Sequence, residues 1–457
     1  MADPRLIVVG AGPAGMRAAE TLVAAGLRPV VIDEGTASGG QIYRRQPAGF
    51  TRTPEMLYGP DAAKARALHS GFDALGDRID YRPDSLAWNL RDGVLHVVYA
   101  GVSTALPFDA LILATGATDR LLPIKGWNLP GCYSLGGAQI SLKAQACSIG
   151  ARPVFLGTGP LLYLVASQYV KAGIKVAGVL DTAPATAQFR AISDLLVRPG
   201  LLARGMAMRV ALTAAGVRVE QGIVPIAIEG SDQVSAVLYR TASGEQRRIA
   251  CDAVGMGFHL RSETQLADLA GCAFLFDGAT GQWRPETDED GRTSCAGIYT
   301  AGDGARILGA DAAEAAGRLA AMAAMADLGQ SVDDVAVKKL KRRLGRLDRF
   351  RRGLATAFPW PAELAREISD DVIVCRCEAV TAGQIRDASG AKGAPELNRA
   401  KALSRIGMGR CQGRYCGSAA AEILAAAREI GLPEVGRLRG QAPVKPLSLA
   451  TVRSDKA

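Results

Sequence analysis

The chain has 457 residues, of which 48% are hydrophobic and only 5% aromatic, with 53 glycines and a formal net charge of +9. This length supports two or three domains with sizeable cores, and the composition is typical of an α/β protein rich in tight turns. The positive charge is concentrated in one short segment, residues 338–352, which indicates a local basic helix and argues against nucleic-acid binding.

The hydropathy and the cysteine usage favour an intracellular protein. No run of about 18 uninterrupted apolar residues predicts a membrane-spanning helix. Residues 1–5 lead straight into an apolar strand without a signal-peptide pattern, so we expect a cytoplasmic location, peripheral at the inner membrane face only through partners. Nine cysteines in such a chain favour free thiols or metal ligands over disulfides.

A predicted strand, a glycine-rich turn and an alanine-rich helix open the chain. The turn reads Gly10-Ala11-Gly12-Pro13-Ala14-Gly15. Gly10 permits the tight turn, Gly12 lets the backbone approach a pyrophosphate, and Gly15 lets helix and strand pack closely. The pattern predicts a dinucleotide site with the pyrophosphate at the positive helix N-terminus. The alternative is a glycine-rich turn in an unrelated α/β unit.

The strand predicted at 29–32 ends at two acidic residues, Asp33 and Glu34. Their distance from the turn is the one expected for the acid that binds the ribose of a dinucleotide. Asp33 is favoured because it directly follows the strand, and Glu34 is the alternative.

Three later segments repeat the pattern of small residues at turns. They are a loop at 38–44, a buried strand at 109–116 ending in Ala114-Thr115-Gly116, and a strand at 297–304 ending in Gly302-Asp303. In this order the four motifs resemble the two-dinucleotide-domain flavoproteins, the superfamily of the disulfide reductases and thioredoxin reductase, over residues 1–330. The resemblance implies that the first site holds FAD and that Asp303 binds its ribityl chain. The implied cofactor-binding residues are Gly10, Gly12, Pro13, Ala14, Gly15, Asp33, Glu34, Gly39, Gly40, Gln41, Arg44, Ala114, Thr115, Gly116, Gly302 and Asp303.

An internal repeat of the opening motif begins a second nucleotide-like domain. Its turn reads Gly157-Thr158-Gly159-Pro160-Leu161-Leu162, so that Leu162 replaces the third glycine. A leucine there would hold the helix away from the strand and narrow the pyrophosphate bay. The position that matches Asp33 is Leu180, with Asp181 one place late. NAD(P) binding and a structural remnant both stay open, and the sequence favours the remnant.

No catalytic residue is assigned. The disulfide reductases need a redox dithiol, and no Cys-x-x-Cys pair lies upstream of residue 375. His69, His96 and His259 lack neighbouring motifs for acid–base or nucleophilic chemistry. For a flavoprotein without an evident base, we expect no substrate chemistry on this chain itself.

A basic amphipathic helix is predicted in the connector at 331–370. Leu340, Leu344 and Leu347 recur at helical spacing, and basic residues fill the other faces. The helix is interpreted either as a connector with a solvated basic face or as a docking site for an acidic partner, such as an electron-carrier protein or a subunit.

Two close cysteine pairs lie in the last fifth of the chain, Cys375 with Cys377 and Cys411 with Cys416. Four thiolates are the ligand set of an iron–sulfur cluster, and a glycine-rich loop supplies N–H groups to its sulfurs. Zinc is the competing metal, since four cysteines also satisfy a tetrahedral site. The tail after Pro433 is rich in glycine, proline and basic residues, and we expect it to be loosely packed.

The cysteine segment resembles the bacterioferritin-associated ferredoxin domain, which carries a 2Fe–2S cluster, although here four residues rather than two separate the final pair. The run from Gly407 to Cys416 is similar to the large flavoprotein subunit of opine oxidases and hydrogen cyanide synthase, and to α subunits of hydroxyproline and proline dehydrogenases. That resemblance also covers residues 39–44 and 157–162. It implies a catalytic partner subunit of the D-amino-acid-oxidase type, room for a small third subunit, an additional flavin at a subunit interface, and an electron carrier or respiratory chain as acceptor.

The predicted architecture is therefore an α/β flavoprotein of the disulfide-reductase type with a C-terminal 2Fe–2S domain. Its predicted parts are an FAD domain at 1–118 and 256–330, a nested NAD(P)-like domain at 119–255, a connector at 331–370, a cluster domain at 371–435 and a tail at 436–457. The predicted function is electron transfer within a heteromeric amino-acid or opine dehydrogenase. The alternatives are a self-contained NAD(P)H-dependent reductase and a non-enzymatic protein with a zinc-binding tail.

Overall fold

Two parallel sheets, each covered by helices, organise residues 4–47 and 49–453, which this computed structural model describes. The strands in chain order are β1 Leu6–Val9, β2 Val30–Ile32, β3 Asp80–Arg82, β4 Leu86–Arg91, β5 Val94–Tyr99, β6 Val102–Pro107, β7 Ala110–Leu113, β8 Ala117–Asp119, β9 Cys132–Ser134, β10 Pro153–Thr158, β11 Gly178–Asp181, β12 Arg218–Gln221, β13 Val224–Gly230, β14 Val234–Arg240, β15 Gln246–Ala250, β16 Ala253–Phe258, β17 Leu260–Ser262, β18 Phe274–Asp277, β19 Gln282–Pro285, β20 Ile298–Thr300, β21 Ile373–Cys375, β22 Val380–Thr381 and β23 Val452–Arg453.

The α-helices lie between these strands and dominate the C-terminal third. In chain order they are α1 Pro13–Ala24, α2 Pro54–Tyr58, α3 Ala62–Asp73, α4 Leu135–Ala144, α5 Pro160–Lys171, α6 Ala185–Arg190, α7 Ile192–Leu195, α8 Pro199–Ala214, α9 Gln265–Leu269, α10 Ala310–Asp327, α11 Asp334–Ala357, α12 Ala362–Arg366, α13 Ala382–Ser389, α14 Leu397–Ser404, α15 Gly417–Arg428 and α16 Leu432–Val435. Within 4–47 and 49–453, none of the helices is both long and apolar enough to cross a bilayer.

The first sheet has the strand order β20-β7-β1-β2-β3, and its strands are parallel. All four residues of β1 are buried, as expected for a strand covered on both faces. Helices α1 and α10 pack closely over the sheet through small residues. A Cβ added to Gly317 of α10 would lie 2.0 Å from the carbonyl oxygen of Ala14. This contact brings the N-terminal turn of α1 and the start of α10 to the same edge of the sheet.

The second sheet has the order β12-β11-β10-β16-β9 and is inserted between β7 and β20. The short antiparallel pair of β8 and β17 links the two domains. Two nucleotide-type parallel sheets in one chain confirm the predicted α/β architecture.

Helix α11 begins at the N-cap Asp333, whose side chain accepts hydrogen bonds from Val335 N and Ala336 N. It leads into a small helical domain whose buried residues include Val374, Ile385 and Ile423, all of which belong to one apolar core with residues of the second sheet. The cluster domain therefore packs against the body of the protein.

The expectation of a loosely packed tail is wrong. Arg437 donates two hydrogen bonds to the buried Asp268 carboxylate, at 2.6 and 2.8 Å, and Val444 N donates to Trp88 O at 3.0 Å. Strand β23 then pairs in parallel with β6. Ion pairs and backbone hydrogen bonds, rather than a periodic apolar face, hold this segment, so its composition gave no signal of packing.

Candidate cofactor sites

The glycine-rich turn between β1 and α1 is a close-packed cradle of backbone. Gly10 has φ +103°, and a Cβ added to it would lie 2.3 Å from the carbonyl oxygen of Ala114. A Cβ on Gly15 would lie 1.7 Å from the carbonyl oxygen of Gly10. Only glycine fits at these two positions, while Gly12 is the N-cap of α1 and Pro13 its first residue.

Asp33, rather than Glu34, lies against the turn. The Asp33 carboxylate accepts hydrogen bonds from Ala11 N and, at 2.6 Å, from Gly35 N. Burial raises the pKa of Asp33, an effect that these two N–H groups oppose. Glu34 instead pairs with Lys445 of the tail. The favoured ribose-binding candidate is therefore Asp33, whose carboxylate retains capacity for further donors.

The loop at 39–44 folds over the same turn. Gly39 N donates to Ala11 O at 2.8 Å, and a Cβ on Gly40 would lie 2.8 Å from Gly12 Cα. Within the loop, Arg44 donates to the Gln41 side-chain oxygen at 2.8 Å.

The ends of β7 and β20 complete this edge of the sheet. Residues Ala114, Thr115 and Gly116 follow β7, and Gly302 packs so tightly that a Cβ on it would lie 2.8 Å from Ala14 Cβ. One oxygen of the Asp303 carboxylate accepts from Leu308 N and Gly309 N at 2.9 and 3.1 Å, and burial raises the pKa of Asp303. The glycine turn, Asp33, the loop at 39–44 and the ends of β7 and β20 thus lie at one edge of the sheet, whereas Glu34 faces the tail. A glycine cradle of this kind is suited to a pyrophosphate.

The four cysteines of the C-terminal domain also come together. The Cys416 thiol lies next to those of both Cys375 and Cys411, and the thiols of Cys377 and Cys411 are neighbours. The thiols form a chain of contacts, and in the part of the chain that the structure describes no three ligating side chains surround one point as in a mononuclear metal site. Gly409 lets the loops approach, since a Cβ there would lie 2.1 Å from Cys377 Cβ.

Hydrogen bonds stabilise the thiolate form of two of these cysteines. The Cys416 thiol and the backbone N–H groups of Gly407, Glu378 and Cys377 lower the pKa of Cys375 to about 6, although burial opposes them. The Cys416 thiol and the N–H groups of Tyr415 and Gly413 likewise lower the pKa of Cys411 to about 5. Thiolates surrounded by backbone donors are the ligand set that iron–sulfur clusters use.

The turn of the second nucleotide-like domain is filled by the protein itself. The Tyr163 hydroxyl donates to the buried Asp181 carboxylate at 2.7 Å, and Leu162 is fully buried beneath it. The His259 ring lies over Gly159, so that a Cβ on Gly159 would be 3.3 Å from His259 Nδ1. His259 is also hydrogen-bonded to Phe358 O, and the Phe358 ring packs beside Tyr163 with centroids 6.4 Å apart. The end of α11 thus lies at the mouth of this turn.

Sequence reasoning missed the residues that join the FAD and cysteine sites. Arg414, inside the Cys411–Cys416 loop, forms a two-bond ion pair with Glu263 at 2.5 and 3.1 Å, and Arg261 donates to the carbonyl of Arg414 at 2.9 Å. The only signal for Arg414 was its position between two predicted ligands, and Glu263 belongs to no motif.

Two protein-family models match this chain, one over the nucleotide-type domains and one over the cysteine domain. The family model described as pyridine nucleotide-disulphide oxidoreductase matches residues 4–324, and the BFD-like 2Fe-2S binding domain matches residues 373–426. These matches identify FAD and a 2Fe–2S cluster as the cofactors.

Similar proteins match nearly the whole chain. An opine oxidase subunit of Agrobacterium tumefaciens (strain Ach5) is 40% identical, over 97% of this chain and 90% of the relative. Hydrogen cyanide synthase subunit HcnB of Pseudomonas protegens is 30% identical, over 96% of each chain. The crystal structure of L-proline dehydrogenase from P. horikoshii shares the fold, with a TM-score of 0.70 at 19% identity over 98% of this chain and 79% of that one. The chain therefore belongs to the pyridine nucleotide-disulphide oxidoreductase family, as an FAD- and 2Fe–2S-containing oxidoreductase subunit of the group that includes HcnB and this opine oxidase subunit.

Proposed function

We propose that this chain is the electron-transferring subunit of a heteromeric FAD-dependent dehydrogenase or oxidase that oxidises a C–N bond of an amino acid or opine. Oxidation takes place on a partner flavoprotein subunit of the D-amino-acid-oxidase type, and this chain passes the electrons between FAD and the 2Fe–2S cluster. Flavin and cluster supply the redox chemistry, while the protein sets their spacing and environment.

One observation carries the proposal. Hydrogen bonds of Arg261 and Glu263 connect the FAD turn to the cysteine loops, whereas side chains of the protein itself occupy the second nucleotide turn. With Asp181 bonded to Tyr163, and with His259 and Phe358 over the glycine turn, a dinucleotide would have to displace packed side chains. This favours a partner subunit over NAD(P)H as the source of electrons. The names of the similar proteins, each of them a subunit of a larger enzyme, agree with such a division of labour.

A surface for an acidic partner supports the heteromeric assignment. Lys341, Arg349, Arg351 and Arg352 of α11 pair with carboxylates of this chain. The remaining basic residues of α11 are exposed and form no ion pair with the described residues; this free basic face consists of Lys338, Lys339, Arg342, Arg343 and Arg346. We assign it to an acidic surface on an electron carrier or a partner subunit. A small third subunit, an additional flavin at a subunit interface, and a cytoplasmic location at the inner membrane face belong to the same proposal.

Rapid mixing with reduced nicotinamides tests the proposal. We expect NADH and NADPH to leave the flavin of the isolated chain oxidised, and an amino-acid or opine substrate to reduce it only when the partner subunit is present. Rapid bleaching by NADH or NADPH alone would instead establish the self-contained reductase.

The cluster is tested by Cys411→Ser. This variant should lose the visible absorbance and labile sulfide of the cluster while keeping FAD, because the two sites use different residues. Cys147→Ser, at an exposed cysteine outside both sites, is the matched control and should keep both cofactors. Zinc without labile sulfide in the unaltered chain would contradict the proposal.

A further inference from the structure

One short segment contacts both candidate cofactor sites. This bridging segment, Arg261–Gln265, runs from β17 into α9, in the link between the two nucleotide-type domains. No motif marks it. Its backbone and the Ser262 hydroxyl contact the FAD side, and the side chains of Arg261, Glu263 and Gln265 contact the cluster side.

The backbone of the bridging segment, together with one hydroxyl group, binds the FAD side. Glu263 N donates to Gly116 O at 2.9 Å, and the Thr115 hydroxyl donates to Glu263 O at 2.6 Å. The Ser262 hydroxyl donates to Asp303 O at 2.7 Å. Three of the residues predicted to hold FAD are thus fixed directly by this segment.

Its side chains bind the cluster side. Arg261 donates to the carbonyl oxygens of Gly413 and Arg414 at 3.2 and 2.9 Å. The Glu263 carboxylate holds the Arg414 guanidinium, whose side chain is only 7% exposed. Gln265 donates to Gln412 O at 2.8 Å. Every one of these contacts falls within the loop that joins Cys411 to Cys416.

The charges at this junction are few and opposed in sign. Arg261 brings a cation from the FAD domain to the ligand loop, and Arg414 is a second cation that Glu263 neutralises. Burial raises the pKa of Glu263, but Arg414 and Arg261 outweigh it, so the pKa lies below its ordinary value and the carboxylate is ionised at neutral pH. Lys401, another buried cation near Cys416, comes from the cluster domain itself and donates to the Gln441 side chain at 3.1 Å.

We propose that Arg261 and the Glu263–Arg414 pair set the reduction potential of the 2Fe–2S cluster and fix its position relative to FAD. The inference rests on the proposed function, because it assigns the route between the two cofactors. A reduced cluster carries one more negative charge than an oxidised one, so a nearby cation stabilises the reduced form. Removing the Arg261 charge should lower the potential, and removing the Glu263 charge should raise it, because Arg414 then lies unneutralised beside the ligands.

Redox titration of the cluster by electron paramagnetic resonance tests this assignment on the full chain. For Arg261→Gln we expect the ratio of reduced to oxidised cluster at a fixed potential to fall by about tenfold, which for a one-electron couple is about 59 mV. For Glu263→Gln we expect a change of similar size in the opposite direction. Arg261→Lys keeps the charge and should stay close to the unaltered chain.

Arg52→Gln is the matched control. Arg52 also donates to two consecutive backbone carbonyls, those of Leu142 and Lys143 at 2.8 Å each, and neither of these belongs to a cysteine loop. Its substitution should leave the cluster potential unchanged.

The possible outcomes of the titration distinguish a failure of this inference from a failure of the proposed function on which it rests. If the unaltered chain holds FAD and a cluster but Arg261→Gln and Glu263→Gln leave its potential unchanged, or shift it in the same direction, the inference is overturned and the function stands. If the unaltered chain gives no cluster signal, both are overturned. If Arg261→Gln fails to fold, the higher reduction potential expected for Glu263→Gln still tests the inference, and an unchanged or lower potential in that variant overturns it.

Discussion

The two glycine turns of this protein share a strand–turn–helix geometry and differ in what lies at their mouths. At the first, Gly15 lets α1 approach the turn, and the donors to the Asp33 carboxylate within residues 4–47 and 49–453 are two backbone N–H groups. At the second, Leu162 replaces the third glycine. The expectation that Leu180 matches Asp33 is wrong: Gly157 pairs with Asp181 in the sheet, just as Val9 pairs with Ile32 directly before Gly10 and Asp33, so Asp181 holds the position of Asp33. The Tyr163 hydroxyl binds this acid. A side chain from outside the domain, Phe358, then packs beside that tyrosine.

The comparison shows that a domain can keep the fold of a nucleotide site without keeping the features that bind a dinucleotide. The buried second sheet keeps the parallel order and the glycine turn because they build its core. Binding needs, in addition, a free acid and an open approach to the helix N-terminus. At the first turn, backbone N–H groups bind the Asp33 carboxylate, whereas at the second turn the Tyr163 hydroxyl binds Asp181 and the His259 ring lies over Gly159.

Closing the first turn should have the largest effect. In Gly15→Ala the added Cβ would meet the Gly10 carbonyl oxygen, so α1 must move, at a cost of about 1–3 kcal/mol. We expect FAD to be lost, measured as flavin per chain after gel filtration. Gly205→Ala, in α8 with open space around it, is the control and should keep FAD with stability raised by about 0.5–1 kcal/mol. Full flavin content in Gly15→Ala would show that the close approach of α1 to the first turn is not required for FAD binding.

Freeing the acid of the second turn should have a smaller effect. Tyr163→Phe removes the hydrogen bond to Asp181 and should cost about 1–3 kcal/mol in the free energy of unfolding, measured with urea. Tyr169→Phe removes a comparable buried bond to the carbonyl of Ala138 and should cost about 1 kcal/mol. NADH should still not bind, because Phe358 stays in place. Tight NADH binding by Tyr163→Phe would show that the hydroxyl alone closes the site.

Lowering the pH below about 6.5 should reduce the free energy of unfolding through His259 at the second turn, and at neutral pH this effect should be absent. Burial lowers the pKa of His259 to about 4; the Arg120 guanidinium lowers it as well, while the hydrogen bond to Phe358 O opposes them. The unfolded chain therefore takes up a proton near its ordinary pKa of about 6.5 that the folded chain excludes. The stability from neutral His259 is complete above about pH 6.5 and is lost as pH falls towards 4.

Thermal unfolding at a series of pH values measures this loss. His259→Asn should make the dependence between about pH 6.5 and 4 shallower, because asparagine tolerates the positive φ of this position, +69°, and does not titrate there. A part should remain, because burial lowers the pKa of His69 too. An unchanged pH dependence in this variant would assign the acid sensitivity elsewhere.

Local motifs predicted the parts of this molecule that depend on local geometry. The turn at 10–15, the strand ends at Ala114 and Gly302, and the four cysteines are each specified by a few adjacent residues, and the α/β fold with its cofactors was confirmed. The contacts between these parts could not be predicted in the same way. Glu263 with Arg414, Asp181 with Tyr163 and Phe358, and Asp268 with Arg437 are pairings of ordinary residue types, set by how the domains meet. The prediction of a loosely packed tail was wrong for the same reason, because the partners of Arg437 and Lys445 are single side chains far away in the sequence.

The return of the tail to the FAD domain also constrains the order of synthesis and assembly. Asp268 and Glu34 obtain their cations from Arg437 and Lys445, which follow them by 169 and 411 residues and are therefore synthesised later. Until then Asp268 is a carboxylate without its counter-ions, and the first domain lacks contacts that span up to 411 residues of sequence. Such long-range contacts form slowly because the intervening chain must first be ordered. The first domain should therefore reach its full stability only after residues 437–445 have docked on it.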